Sequence, residues 1–423
     1  VDGTGARMLS DLITASHVTS MEQLPATVAD VAGRAGLREV LIYVADLQQT
    51  VLRLLPGPDE ASRDPVELRI EGTLAGRAFQ NVVSARGHLV GEHEGGHEGE
   101  HEHEGEGGGE REWWVPLLDG TERIGVLHVV MSEDDATALP RAEALAGLIA
   151  LMIVSKGPAS DTMARLVRTR HMTVSAEMQW RLLPPMTFAN DQIVISAALE
   201  PAYRLGGDTF DYGMAGTAVH LGVFDAMGHD TGAGLTSSLA VAAYRNSRVE
   251  GAGLPGIGEA IERALLEQDS SGRFVTAVLA CLQLRTGMLS WVSYGHPAPV
   301  VIRGGRWVSQ LNCQPGTPLG TDLGIEPQVC EEQLQPGDRV LLYTDGIVEA
   351  RDPDKREFGL VRFVDFIIRR SADGLPVPET LRRLIHGILK HHAGRLDDDA
   401  TVLVLEWHGP NPAGDGTEAI QRT

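Results

Sequence analysis

Cysteine is scarce in this sequence: Cys281, Cys313 and Cys330 are the 3 among 423 residues, an odd number with no C-x-x-C pair. Such usage argues against a disulfide scaffold or a structural zinc site and fits a reducing cytosol. Positive charge is also short. Against 36 lysines and arginines stand 58 aspartates and glutamates, a formal charge of −22, so attraction to nucleic acid or an anionic membrane is not expected. Long apolar runs are missing too. The longest, at 145–154, falls well short of the roughly 18 residues a membrane span needs. No basic segment followed by an apolar one opens the sequence as given, so the expectation is a soluble cytoplasmic protein.

Apolar residues make up 43% of the chain, enough for ordinary cores, and the length calls for two or three domains. In the first part, Leu24, Val28, Val31, Ala32 and Ala35 keep helical spacing. Strand-like runs follow at 40–45, 51–55, 112–117 and 125–130, and a closing helix at 142–154. This order, with Leu74-Ala75-Gly76-Arg77-Ala78-Phe79 and Gly125-Val126-Leu127-His128-Val129, resembles a GAF-type sensory domain over residues 1–155. Residues 91–110 are almost wholly Gly, Glu and His. Such a stretch cannot offset its own ordering entropy, and it reads as a disordered insertion. Its histidines His93, His97, His101 and His103 could alternatively bind a transition metal.

From Met163 to Leu182, apolar residues at helical spacing predict one connecting helix within a linker at 156–185, closed by Pro184-Pro185. Beyond it, strand candidates at 193–200, 219–224, 274–284, 288–294, 299–303, 339–343 and 401–407 alternate with helix candidates at 234–249, 258–267, 360–369 and 378–391. Many strands with helices in a few blocks suggest antiparallel sheets flanked by helices, over 186–409. The tail at 410–423 reads as disordered.

The chemistry lies in four short motifs: Gly206-Gly207-Asp208-Thr209-Phe210-Asp211, Phe224-Asp225-Ala226-Met227-Gly228-His229, Tyr343-Thr344-Asp345-Gly346 and Asp397-Asp398-Asp399-Ala400-Thr401. Asp225 and Asp345 directly follow apolar strand runs, and Asp398 precedes one. Carboxylates at neighbouring strand ends converge and repel, and a bound divalent cation is the usual remedy. Oxygen-only ligands favour Mg²⁺ or Mn²⁺ over zinc. Each motif alone reads as a turn; only the four together point to a metal centre.

In this order the motifs resemble the stage II sporulation protein E-type branch of the protein phosphatase 2C-like, metal-dependent phosphatases. The resemblance covers about 176–407, and Phe274-Val275-Thr276 and Tyr294-Gly295-His296-Pro297 agree with it. It implies an α+β fold, an αββα sandwich of two antiparallel sheets, behind the GAF-like domain and the connecting helix. It also implies two Mn²⁺ or Mg²⁺ ions and hydrolysis of phosphoserine or phosphothreonine by a hydroxide bridging them. Asp225 would bridge both ions, Asp208 and Asp345 would each bind on one side, Asp398 would complete the centre, and Ala226 would offer its carbonyl where glycine is usual. Asp230 also departs from the pattern, standing where glycine often follows the histidine.

Other roles stay open. Arg204 either holds phosphate or is a surface charge. His229 either protonates the leaving oxygen or hydrogen-bonds a metal water. Asp211 and Asp399 either support the ligands or sit in turns, and the Tyr294–Pro297 segment reads as a structural turn. The partners implied are an anti-anti-sigma-like phosphoprotein, an unknown ligand of the GAF-like domain and a second copy in a homodimer. Competing readings are a silent scaffold of the same fold, a small-molecule phosphoesterase, and a metal store built on the His/Glu run.

Overall fold

The computed structural model describes residues 2–58, 65–87, 110–132, 134–204, 206–268, 272–372, 375–391, 396 and 398–410. The expected insertion at 91–110 lies outside them apart from Glu110, as does the tail apart from its first residue. The chain divides into two compact units, Val1–Thr169 and Arg170–Thr423.

The first unit runs α1 (Gly3–Ser16), α2 (Leu24–Arg34), β1 (Arg38–Ala45), β2 (Val51–Leu54), β3 (Glu67–Arg69), α3 (Leu74–Asn81), β4 (Ala85–Arg86), β5 (Glu110–Asp119), β6 (Glu122–Ser132), α4 (Ala138–Lys156) and α5 (Asp161–Val167). Its strands form one antiparallel sheet in the order β3-β2-β1-β6-β5-β4. Side chains alternate across β1 as a strand requires. Ile42 and Val44 join the core shared with α1, α2 and α4, while Tyr43 and Ala45 face the smaller core under α3.

Residues 138–159 are long and apolar enough to cross a membrane by length and composition, which a count of uninterrupted apolar residues does not reveal. Half of this stretch's apolar window is buried inside the protein, with Leu145, Ile149 and Ile153 in the sheet's core.

The expected connecting helix is two helices. α5 is capped by Ser160 and ends at Arg168, whose backbone is extended. A new helix, α6 (Val174–Leu182), starts where the Thr173 hydroxyl accepts the Ala176 N–H. Each N-cap satisfies a free helix-end donor, so two caps make two starts. Leu166 of α5 packs in the first unit and Ala176 of α6 in the second.

The second unit continues with β7 (Thr187–Ala189), β8 (Ile193–Glu200), β9 (Asp208–Ala215), β10 (Ala218–Ala226), α7 (Thr231–Val249), α8 (Leu254–Gln268), β11 (Val275–Gln283), β12 (Met288–Tyr294), β13 (Val300–Arg303), β14 (Trp307–Gln310), β15 (Cys330–Gln333), β16 (Asp338–Tyr343), α9 (Asp345–Val348), α10 (Gly359–Ala372), α11 (Val377–His391) and β17 (Ala400–Trp407). Two antiparallel sheets result, β15-β12-β11-β10-β9 and β14-β13-β16-β17-β8-β7. Their facing sides share one core, with Val223 of β10, Leu342 of β16 and Leu403 of β17. The outer face of the first sheet packs on α7 and α8 through Phe224 and Val275. That of the second packs on α10 and α11 through Tyr343 and Val402. Helices, two sheets and helices make the expected αββα sandwich.

The cysteines depart from expectation, since Cys313 and Cys330 form a disulfide while Cys281 is free. Their approach depends on how the loop between β14 and β15 folds back, which spacing along the chain does not display.

Candidate metal centre

Strand alternation decides which side chains meet. On β10, Val219, Leu221 and Val223 point between the sheets, so Asp225 closes the same row at the strand's end. Asp208 stands directly opposite it across the β9–β10 ladder, and cross-strand partners put their Cβ atoms on one face, about 5 Å apart. On β16 and β17 the inward rows include Leu342 and Leu403; extended by two residues, they carry Thr344 and Thr401 to the same end.

Thr344 joins the sheets there. Its hydroxyl donates to Asp208 Oδ2 at 2.6 Å and accepts the Thr401 N–H at 2.9 Å, and both threonines are fully buried. Asp345 follows immediately and opens α9. Asp399, 4% exposed, accepts the backbone N–H of Gly206 at 2.8 Å and of Asp208 at 3.4 Å, so it moors the Gly-Gly-Asp turn. Asp398 beside it is exposed.

Gln179 of α6 braces the turn from the other side. Its buried amide donates to the carbonyls of Gly206 at 2.8 Å and Asp208 at 3.3 Å. Gly207 is obligatory for packing, since a Cβ there would fall on the Ala226 carbonyl oxygen. Ala226 itself is an ordinary strand residue, and the positive φ of this turn, +94°, belongs to Gly228. Alanine therefore costs nothing at 226.

The carboxylates feel one another strongly. Burial first, then the charges of Asp345, Asp398 and Asp399, push the Asp225 carboxyl up to about 7. Burial, then the charges of Asp225 and Asp399, raise the Asp208 carboxyl well above its ordinary value, against the lowering bonds from Thr344 and Thr401. Burial and Asp398 raise Asp345. Asp399 rises to about 6, chiefly through burial, although backbone donors pull it down. Among the described residues, no group of three or more His, Cys, Asp or Glu side chains is already arranged to hold a metal ion. The cluster is open, and its mutual repulsion is what a cation would relieve. An oxygen-only donor set of this kind fits Mg²⁺ or Mn²⁺.

Two cavities flank Asp398. One, of about 510 Å³, is lined by Thr173, Ser175, Arg204, His229, Asp230 and Asp398 among others. The other, of about 350 Å³, includes Asp345, Glu349, Arg351 and Asp398. Arg204 and His229 thus stand exposed at the rim of the cluster. Asp230 caps α7 through the Ala233 N–H at 2.9 Å and pairs with Arg273 at 2.8 Å, which accounts for a carboxylate where glycine was expected. Asp211 does not support the cluster. An odd number of residues from Asp208, it projects to the opposite face, where Arg245 at 2.7 Å and Arg248 at 3.0 Å hold it. His296 is a structural turn residue: its ring contacts Thr276 Oγ1 at 2.9 Å and the Tyr343 carbonyl at 3.1 Å.

Residues 215–408 match the family model of Stage II sporulation protein E (SpoIIE). The matched stretch holds Asp225, Ala226, His229, Asp345, Asp398 and Asp399, while Arg204, Asp208 and Asp211 precede it. The chain is similar to the phosphoserine phosphatase RsbU of Bacillus subtilis, 21% identical over 235 residues, covering 55% of this chain and 68% of RsbU. It is also similar to protein IcfG of Synechocystis, 23% identical over 140 residues, covering 33% of this chain; it spans only 22% of IcfG. Among solved structures, the RsbU and RsbW domains of a Mycobacterium tuberculosis protein align with TM-score 0.47 and 24% identity, covering 54% of this chain and 64% of that one. The SiaA-PP2C domain of Pseudomonas aeruginosa aligns with TM-score 0.47 and 21% identity, covering 55% and 94%.

Proposed function

We propose that the second unit, of which residues 215–408 match the SpoIIE family model, is a metal-dependent serine/threonine protein phosphatase. The observation that supports this reading is the mutual repulsion of carboxyls at one end of the sandwich, Asp225 acting on Asp208, and Asp345 and Asp398 acting on Asp225. Two Mg²⁺ or Mn²⁺ ions bound there would supply charge neutralisation and water activation for attack on phosphorus. Asp225, which faces Asp208 on its own sheet and feels the charges of Asp345 and Asp398, would serve both ions. Asp208 and Asp345 would each serve one, Asp398 would complete the set beside Asp345, and the Ala226 carbonyl at the end of β10 would add a neutral oxygen. Thr344, Asp399 and Gln179 keep Asp208 in place. Arg204 at the cavity rim is suited to hold a phosphoryl oxygen, and His229 to give a proton to the leaving serine or threonine oxygen.

The likeness to RsbU supports a phosphorylated regulatory protein of a partner-switching system, such as an anti-anti-sigma factor, as substrate. We assign the first unit the role of a GAF-like sensory domain acting through α5 and α6, in a cytoplasmic homodimer. The test is hydrolysis of p-nitrophenyl phosphate and of a phosphoserine protein with Mn²⁺, with Mg²⁺ and with EDTA, alongside Asp225→Ala. Turnover that requires metal and Asp225 supports the reading. Absence of turnover under every metal, in the full chain and in residues 170–423 alike, would leave a silent binding module.

A further inference from the structure

The segment between β14 and β15 is a long irregular one, and a covalent cross-link joins its ends. Cys313 and Cys330 are disulfide-bonded, with Cα atoms 6.1 Å apart and a separation of 17 positions along the chain. Both are half-buried, within reach of a small thiol.

The enclosed loop lies along the sheet that carries Asp225. The Gly316 N–H donates to the Ser293 carbonyl at 2.8 Å, and Leu319 and Val275 exchange two backbone bonds of 2.8 Å each. Leu319 is 2% exposed and belongs to the core beneath α7 and α8. Val275 is the register partner of Ala226, so the loop pads the ladder at the residue next to Asp225. Farther along, the Gly320 and Asp322 N–H groups donate to the Glu262 carboxylate of α8, while the Leu323 and Ile325 side chains are exposed, at 67% and 55%. A loop of this length has high entropy when open, and closing it with a cross-link removes much of that entropy.

We propose that Cys313 and Cys330 are a thiol–disulfide pair whose redox state sets how firmly residues 314–329 are held against β11 beside Ala226. The chemistry is exchange with a low-molecular-weight thiol such as glutathione. One glutathione thiolate attacks a cysteine Sγ, the intramolecular S–S bond breaks, and the other cysteine leaves as a thiolate that takes up a proton. A second glutathione thiolate attacks the mixed disulfide at the glutathione sulfur. This releases the first cysteine, which also takes up a proton, and forms glutathione disulfide. Two thiols are oxidised and one disulfide yields two thiols. Cys281, half-buried on β11, has no part in the exchange.

The test uses the full chain equilibrated in buffers of varied glutathione to glutathione disulfide ratio. Thiols are counted by alkylation and mass spectrometry, and amide exchange is followed in peptides containing Gly316, Leu319 and Val275. Cys313 and Cys330 are expected to convert together while Cys281 stays alkylatable. Oxidation should slow exchange at the three amides by up to about a hundredfold, with no change at Leu341 in the opposite sheet. A Cys313→Ser, Cys330→Ser variant should exchange like the reduced protein in every buffer; the oxidised and reduced wild-type forms supply the comparison without it. The proposal is overturned if both cysteines remain thiols at every ratio, if they end as separate glutathione adducts, or if the pair forms and the three amides exchange equally in both states. None of these readouts depends on phosphatase activity.

Discussion

Replacing Thr344 by valine keeps the shape of a fully buried side chain and removes one oxygen that serves two bonds. The Asp208 carboxylate loses its donor at 2.6 Å, and the buried Thr401 N–H loses its acceptor at 2.9 Å. A buried polar group left without a partner costs about 1 to 3 kcal/mol, more when charged, so the two together should cost about 3 kcal/mol. For a unit of this size, that lowers the melting temperature by about 6 to 12 °C. Thr344→Ser keeps the oxygen and loses one methyl group, at a cost of about 1 kcal/mol. The assay is calorimetry of the full chain in EDTA, comparing wild type, Thr344→Val and Thr344→Ser. Because the lost bond also holds the Asp208 carboxyl down, Mn²⁺ affinity should fall in the valine variant and persist in the serine one. A valine variant as stable as the serine variant would refute the claim that this hydroxyl joins the two sheets.

Asp211→Asn should destabilise the fold by about 2 to 3 kcal/mol, by breaking a buried carboxylate's pairing with Arg245 and Arg248. Urea unfolding and Mn²⁺ titration together check this, since cation affinity should stay unchanged for a residue on the opposite face from Asp208. His296 predicts an acid sensitivity. Burial lowers its imidazole from 6.5 to about 4, so the folded state refuses a proton that the unfolded chain takes up. Stability should therefore fall as pH drops from about 6.5 towards 4, by at most about 3 kcal/mol. Unfolding curves at pH 7 and pH 5 for wild type and His296→Gln should show the slope flattened in the variant.

The strands of the sandwich were legible because apolar runs such as 288–294 end at turn residues, and the four motifs marked the end at which the site lies. β9 was not legible. Its opening Gly206-Gly207-Asp208 reads as a turn, and only pairing with β10 makes Asp208–Ala215 a strand. That same pairing sends Asp208 and Asp211 to opposite faces, a consequence of period two that applies only once the strand is recognised. Thr344 was hidden for a different reason. A threonine before Asp-Gly is ordinary until a second sheet places Asp208 against its hydroxyl. Gln179 and the Cys313–Cys330 pair likewise depend on contacts between segments far apart in sequence. The break between α5 and α6 was written in Ser160 and Thr173, two N-caps within one apolar periodicity that pointed the other way.

A crowded carboxylate cluster should destabilise the metal-free fold, and divalent cations should relieve it. The direct measurement is the unfolding free energy of wild type and Asp225→Asn at pH 8, with EDTA and with Mn²⁺. A carboxyl whose pKa rises from 3.8 to about 7 on folding opposes folding at any pH above 3.8, fully so above about 7, by at most about 4 kcal/mol. In EDTA the asparagine variant should therefore be the more stable protein. Mn²⁺ at a hundredfold its dissociation constant should stabilise wild type by about 2.7 kcal/mol and the variant by much less, narrowing or reversing the order. A variant less stable than wild type in EDTA, or an equal response of both proteins to Mn²⁺, would contradict the account.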